Sequence, residues 1–470
     1  MNCNKNQVLP KIWLQKFPKR WCKCEKDMYV ETTSTFSSVF ESEEIKIAVL
    51  NMEEKLGTSE SIITEDMIPE NKMLDSYLGT YDVEGETGKL TVIFPEPVPN
   101  GAVGVIAMHY NSETQTWEKV EDAQIIDGFV YGTLESFSPI SVFVLRKDTT
   151  FIENDKYFQG PIFVANGIPV VVSVNNNGET VVTDANGKVT VINPEVYIIG
   201  GTIDGSDVDS TSVVVSNATI KGVYAGSLSL EEDVISVANE CKVEIINSTI
   251  TRGISGTLYN NKINSLSINM KDSSAMFVGA GYCGNKLNGK DSNTDSKMDL
   301  SAKSLVKNVV MNLTNTNVEI LYTAGTSGLL YVDHTELNIN GGKCDYITCA
   351  GSNGRTKECI ANIKNVNAVS IQSTNRGTVG SVKLSVKDCV VERLAVAGDP
   401  EAKDVNGSIE NVKVDITGGT INLYAGTNNG KELTNKNVRD IVEYVKVSRS
   451  TNIEYKNNSK SVLGDLIKIK

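Results

Sequence analysis

The residues of this chain with chemistry to offer are few and scattered. Two of its 470 residues are histidines, His109 and His334, far apart in sequence, so imidazole acid–base catalysis or a His-rich metal site has almost no material to work with. Nine cysteines are spread along the length. An odd number at irregular spacing reads as reduced, mostly buried thiols rather than a disulfide framework. Cys22 and Cys24, in WCKC, stand at C-x-C spacing with no second pair nearby, short of a metal or redox motif. Asp204, Asp207 and Asp209 in TIDGSDVD alternate as calcium ligands do. No bidentate glutamate follows where such a loop needs one, so a solvated acidic turn is expected. Phosphate-cradling loops, nucleophile elbows and Cys-His pairs are absent from the sequence. No cofactor and no metal site are expected.

A different chemistry, adhesion, is written into the first residues. Residues 1 to 27 carry Lys5, Lys11, Lys16, Lys19, Arg20, Lys23 and Lys26 against Glu25 and Asp27, a net +5 in a chain whose total is −13. Interleaved are Leu9, Ile12, Trp13, Leu14, Phe17 and Trp21, so two of the three tryptophans lie here. Trp and Arg are the side chains that most often carry interface energy. Trp13, Lys16, Phe17, Lys19, Arg20 and Trp21 therefore form a candidate docking set for an acidic partner surface; the alternatives are an amphipathic terminus folded back on its own domain and direct contact of this segment with nucleic acid or a membrane. The acidic remainder disfavours nucleic acid or an anionic membrane as a partner of the whole body. No apolar run is long enough to span a bilayer, and the first thirty residues hold no run resembling a signal peptide.

The elements that would position such residues follow from local pattern. Residues 31–75 read as a Ser- and Glu-rich linker. Within it, Ile45, Val49, Met52 and Leu56 repeat at 4, 3 and 4 before Gly57, which predicts a helix over 42–56, either a short coiled-coil seam or a helix packed on a neighbour. From 76 to 150 the period changes to two. Leu90, Val92 and Phe94 alternate in KLTVIFPEPVPN, then come AVGVIAMHYN, NSETQTWEKVE and DGFVYGTLESFSPISVFVL, the pattern of an antiparallel sandwich. Its layout, with a hairpin running through Tyr110-Asn111 and then Trp117-Glu118 and a closing Phe137-Ser138-Pro139 strand, resembles the small ZU5-like β-sandwich modules of bacterial and phage surface proteins.

Residues 151–470 contain a degenerate repeat. Its copies include VVVSNATIKGVYAG, VEIINSTITRGISG, LSINMKDSSAMFVGAG, VVMNLTNTNVEILYTAG, TELNINGGKCDYITCAG, VKLSVKDCVVERLAVAG and VKVDITGGTINLYAG. Alternating apolar residues lead to a turn at Asn217, Asn247, Asn315, Asn365, Asp388 or Gly418, residue types that tolerate left-handed backbone. A second short apolar strand then runs to Ala-Gly. Stacked coils pair every strand with its equivalent above and fill a narrow interior with Val, Ile, Leu, Ala and Thr. The fold class expected is all-β: a right-handed parallel β-helix from about Pro161 to Lys470, after the sandwich. A wider spacing between two copies marks an insertion around NGKDSNTDSK, residues 288 to 297. VEYVKV at 442–447 matches IENVKV at 409–414, with Lys456 and Asn457 replacing Ala-Gly, so the last coil is an atypical cap.

These copies resemble the Gly-Gly-Thr-Ile and Tyr-Ala-Gly repeats of surface and fibre proteins from Gram-positive bacteria and their phages, which implies a pectin-lyase-like solenoid. Asn293-Thr294-Asp295 is similar to the Asn-Thr-Asp element of polygalacturonases, but the paired aspartates, Gly-His-Gly and Arg-x-Lys of that family are missing. Glycoside cleavage needs carboxylates held about 5 to 9.5 Å apart. Glu319, Asp345, Glu392 and Asn422 fall near comparable places, yet Lys221, Arg252 and Ser370 interrupt them, so no recurring acidic rung is expected and the chain is not read as an enzyme. Anchor, helix, sandwich and β-helix in series, without an export signal, predict a virion structural protein, a head or tail fibre or spike. Its partners would be capsid or tail proteins of the same particle, two further copies in a homotrimer, and host glycans met by loops such as 288–297. A polysaccharide-degrading spike enzyme and a bacterial surface adhesin are the alternatives.

Overall fold

Val, Ile and Thr at alternate positions favour extended backbone, and Asn or Gly every few residues breaks it into tight turns. The computed structural model describes residues 29–34, 63–84, 90–99, 101–134, 139–155, 158–227, 236–257, 261–281, 304–325, 330–351, 354–400 and 407–470. The ordered elements are nearly all β, 66% strand, with one short α-helix at Ser459–Leu463. The basic segment, the helix expected over 42–56 and the stretch 288–297 lie outside the described residues. Two units divide between Asp148 and Thr149.

In the first unit an antiparallel sheet runs Tyr29–Ser34, Lys72–Glu84, Ile140–Lys147, Gly104–Asn111, Thr116–Lys119. A second holds Leu90–Pro97, Phe129–Leu134 and Gln124–Ile126. Tyr81, Ala107, Val142 and Val144 of the first sheet and Phe94 and Val130 of the second share one buried cluster, so the sheets pack face to face as a sandwich. The expected hairpin is present: Tyr110 stacks on Trp117 with ring centroids 5.4 Å apart, and Asn111 Nδ2 donates to Glu118 Oε1 at 2.8 Å. The long strand starts at Lys72, inside the span read as linker, and pairs with Tyr29–Ser34.

The second unit is a β-solenoid of about nine turns. Each coil contributes a longer strand to one parallel sheet and a shorter strand to another. Sheet A contains Val208–Ser216, Ser236–Ile246 and Asn261–Lys271, the first halves of Ser304–Tyr322 and Leu330–Thr348, then Arg355–Lys364, Thr378–Lys387, Ser408–Thr417, Val442–Val447 and Ile467–Ile469. Sheet B contains Thr219–Tyr224, Thr249–Ser255, Ser274–Gly279, the second halves of the same two long strands, then Asn367–Thr374, Val390–Gly398, Thr420–Tyr424 and Asn452–Tyr455. The corner between them is the asparagine turn. Asn217, Asn247, Asn315, Asn365, Asp388 and Gly418 all have positive φ, between 47° and 67°. Asp272 at 50° and Gly341 at 82° hold the equivalent corner in the two remaining copies.

Inward positions stack in register. Val213, Val243, Ile268, Met311, Leu337, Ala361, Leu384, Val414 and Val445 form one column, every member fully buried. Burying such a side chain contributes about 1.5–3 kcal/mol each. Outward positions on sheet A carry a ladder of amides. Asn312 donates to Asn269 at 2.9 Å, Asn338 to Asn312 at 3.0 Å and Asn362 to Asn338 at 2.9 Å. On sheet B an outer aromatic cluster of Phe158, Tyr197, Tyr224 and Phe277 is buried. A Cβ on Gly222 would come within 2.7 Å of the Tyr197 ring, so the glycine makes room for the aromatic face.

The ends depart from the repeat. At the start, Val170–Val174, Thr180–Asp184 and Val189–Val191 form antiparallel pairs. At the finish, Val445 pairs with Val414 and Val447 with Ile416, two residues away from the match of VEYVKV to IENVKV. A slip of two preserves which side chains face inward, which is why sequence pattern alone chooses the wrong partner. Leu423 pairs with Tyr455, so Asn457 and Asn458, rather than Lys456 and Asn457, take the Ala-Gly place. The helix Ser459–Leu463 closes the coil, with Leu463 buried and Ser459 Oγ accepting from the Ala425 N–H at 2.8 Å.

Candidate functional site

On sheet B the residues after each asparagine turn face outward at every second position, and parallel pairing stacks them by type. Thr219, Thr249, Ser274, Asn317, Lys343, Asn367, Val390, Thr420 and Asn452 form one column. Beside it, the flanking register pairs align Met276, Glu319 and Asp345. Thr249, Ser274, Asn317 and Lys343 of the first column line a groove of about 350 Å³ crossing four coils together with Met276, Glu319 and Asp345, floored in part by Ile250, Ala275 and Val318. Ser274 Oγ donates to Thr249 Oγ1 at 3.3 Å, and Asn317 is exposed. At one rim Lys343 meets Asp345 at 2.7 Å. That hydrogen bond, with the carboxylates of Asp345, Glu319 and Glu392 around it, holds the Lys343 ammonium above its ordinary range.

The groove is a shallow trough with hydroxyl and amide groups over a partly apolar floor and an acidic rim. Hydroxyls and amides both donate and accept, which suits a polyhydroxylated ligand. The carboxylate alignment corrects the sequence reading in part. Glu319 and Asp345 occupy the same position on neighbouring strands, and Glu392 returns to that column after Val369. Ser370 belongs to the next column, paired with Tyr346 and Arg393. The alignment was missed because coil lengths vary, so equal rung positions do not lie at equal sequence spacing.

Other candidates serve the fold. Asp204 Oδ1 accepts from Ser206 Oγ at 2.7 Å, Asp207 Oδ1 from the Val237 N–H at 2.7 Å, and Asp209 Oδ1 from Asn239 Nδ2 at 2.7 Å. Among the described residues no group of His, Cys, Asp and Glu is arranged to hold a metal ion. His334 Nδ1 lies 3.1 Å from Glu358 Oε2 on the outside of sheet A, and His109 is in the sandwich, 9% exposed. Cys241, Cys344, Cys349, Cys359 and Cys389 are free and buried. Trp13, Lys16, Phe17, Lys19, Arg20, Trp21 and the Asn293-Thr294-Asp295 element fall outside the described residues.

The architecture defines a class: a repeat protein with a parallel β-solenoid preceded by small antiparallel sheets. No known protein family, curated protein or solved structure matches the chain. No helix among the described residues is long and apolar enough to cross a membrane.

Proposed function

We propose that the chain is a structural virion protein, a head or tail fibre or spike, that docks through its basic aromatic N-terminus and displays the solenoid for adhesion to host glycans. The observation that carries the adhesive part is the groove on sheet B, whose exposed Thr249 and Asn317 with Ser274 offer hydroxyl and amide hydrogen bonds across successive coils. Its acidic rim favours uncharged sugars over uronates, since like charges repel. Single contacts of this kind are weak, and a homotrimer would multiply them by effective concentration. The docking part is supported by the +5 charge and two tryptophans of residues 1 to 27.

The test has two arms. Full-length protein on an array of uncharged oligosaccharides should retain a subset, and Asn317→Ala should weaken that retention by about tenfold, the loss of one or two hydrogen bonds; equal retention by wild type and variant would remove the groove from the proposal. In particles, antibody labelling under the electron microscope should decorate the surface, and a chain without residues 1–27 should stay folded but leave the particle. A truncated chain that still assembles would overturn the docking role.

One observation favours a second reading, polysaccharide cleavage. Neighbouring strands lie about 4.8 Å apart, which brings the Glu319 and Asp345 column close to the separation of about 5–5.5 Å used by retaining glycosidases. A glycosidase acid is made by enclosing a carboxyl in apolar surroundings, whereas Glu319 is exposed and Asp345 is held by Lys343. Shortening of host polysaccharide that Glu319→Gln abolishes would promote this reading over adhesion.

A further inference from the structure

Sheet A breaks a pairing rule three times on one face. Lys364 stands in register with Lys387, Lys383 with Lys413, and Lys446 with Lys468. Like charges directly opposite on neighbouring strands destabilise a sheet, and a surface that tolerates three such pairs is paying for something other than stability. Five of these side chains point outward from strands whose alternate residues, Ile363, Val382, Val386, Val414 and Val445, are buried, and Lys468 follows Lys446 in register. Lys470 extends the array, so each of five successive strands of the sheet carries at least one outward lysine.

Partial neutralisation leaves the face cationic. Lys413 is paired with Glu443 at 2.9 Å, and Lys470 with Asp415 at 3.0 Å. Lys446 Nζ and Lys468 Nζ lie 3.8 Å and 5.9 Å from the centroid of one ring, Tyr444. Lys364, Lys383, Lys387, Lys446 and Lys468 meet no carboxylate at ion-pair distance among the described residues. With Lys357, eight lysines thus face four carboxylates on these strands, Glu358, Glu410, Asp415 and Glu443, with Asp465 near Lys468, in a chain with a total charge of −13.

We propose that this face, from Lys364 to Lys470, is a second binding surface, for an anionic polysaccharide crossing the stacked strands. Within each pair the cations stand one strand spacing apart, about 4.8 Å, close to the advance of one pyranose unit in an extended chain, while the pairs Lys364–Lys387, Lys383–Lys413 and Lys446–Lys468 occupy three neighbouring columns, so a chain crossing the rungs obliquely meets a cation on each strand. Phosphates along a duplex strand repeat at about 3.4 Å, out of step with the rungs. Tyr444 adds an aromatic face beside the cations. This surface is separate from the groove on sheet B, and the proposal holds whether or not the chain belongs to a virion.

The experiment measures binding of the full chain to polygalacturonate and to dextran sulfate, with unmodified dextran and a double-stranded oligonucleotide as controls. Both anionic polysaccharides should bind, with affinity falling at least about tenfold between 50 and 200 mM salt, while dextran does not bind and the oligonucleotide binds more weakly. The triple variant Lys383→Glu, Lys387→Glu, Lys468→Glu turns each like-charged register pair into an opposite-charged one. It should melt at or above the wild-type temperature and lose polyanion binding; the matching Lys→Gln triple should lose binding too. Asn317→Ala should leave polyanion binding unchanged, which separates this surface from the groove. Undiminished binding by either triple, equal retention of dextran, or tighter binding of the oligonucleotide would overturn the assignment.

Discussion

Cys241 shows how a single residue ties the solenoid to pH. Its side chain is 2% exposed, and burial pushes the thiol up to about 12, opposed only in part by a hydrogen bond with Thr211. An unfolded thiol ionises near 9.0. Between these values the folded chain holds a proton that the unfolded chain has released, so stability is fully present below pH 9 and is lost as pH rises toward 12. Burial also raises the thiols of Cys344 and Cys389, and a hydrogen bond with Cys349 together with burial raises that of Cys359, and they add to the slope. Melting temperatures measured from pH 8 to 11 should therefore fall steeply. Cys241→Ala should start lower because of the cavity but decline less steeply, by up to about 1.4 kcal/mol per pH unit; parallel declines would mean that the thiol does not couple to folding. Ser248 is the polar counterpart. Its hydroxyl accepts from the Ala218 N–H at 3.1 Å and donates to the Ile246 carbonyl at 2.7 Å, joining one corner to the next.

At the scale of elements, what was legible in the sequence was what is local. Asn217 or Asn365 announces a left-handed corner by its own side chain, and alternating Val382, Leu384 and Val386 announce an inward face, so strands and corners follow from a few neighbouring residues. Cross-rung neighbours are different. Lys364 and Lys387 are 23 positions apart, Lys271 and Thr314 are 43, and no local signal reports those offsets. The groove and the lysine pairs are properties of such offsets, which is why neither could be read beforehand. The terminal helix shows the same limit, since Leu463 acquires its meaning only from the coil that it covers. Without a cover, the last strands offer unpaired edges to other chains. Leu463→Asp should therefore lower the melting temperature and raise light scattering as uncovered ends pair between molecules, with faster hydrogen exchange first in Val442–Val447 and Asn452–Tyr455. A variant that stays monodisperse with unchanged exchange there would show that the helix is not a cap.

For the molecule as a whole, stacking makes stability nearly one-dimensional, because each coil touches only the coils on either side. Leu337 tests this at the middle of the solenoid. It is fully buried between Met311 and Ala361 in the inward column, and Ala361 is the smallest member, so Leu337 fills space that its neighbour leaves. Leu337→Ala would place two alanines on successive rungs and open a cavity costing about 2–5 kcal/mol. In a chain whose coils are energetically independent beyond their neighbours, that loss stays local. Hydrogen exchange should quicken in Ser304–Tyr322, Leu330–Thr348 and Arg355–Lys364, while Val208–Ser216 and Val442–Val447 keep wild-type protection. Denaturant unfolding should broaden or split as the two flanks separate from the weakened centre. Were every strand to lose protection by the same factor, the solenoid would be a single cooperative block, and a ligand bound on one coil would then stabilise all of them rather than its neighbours alone.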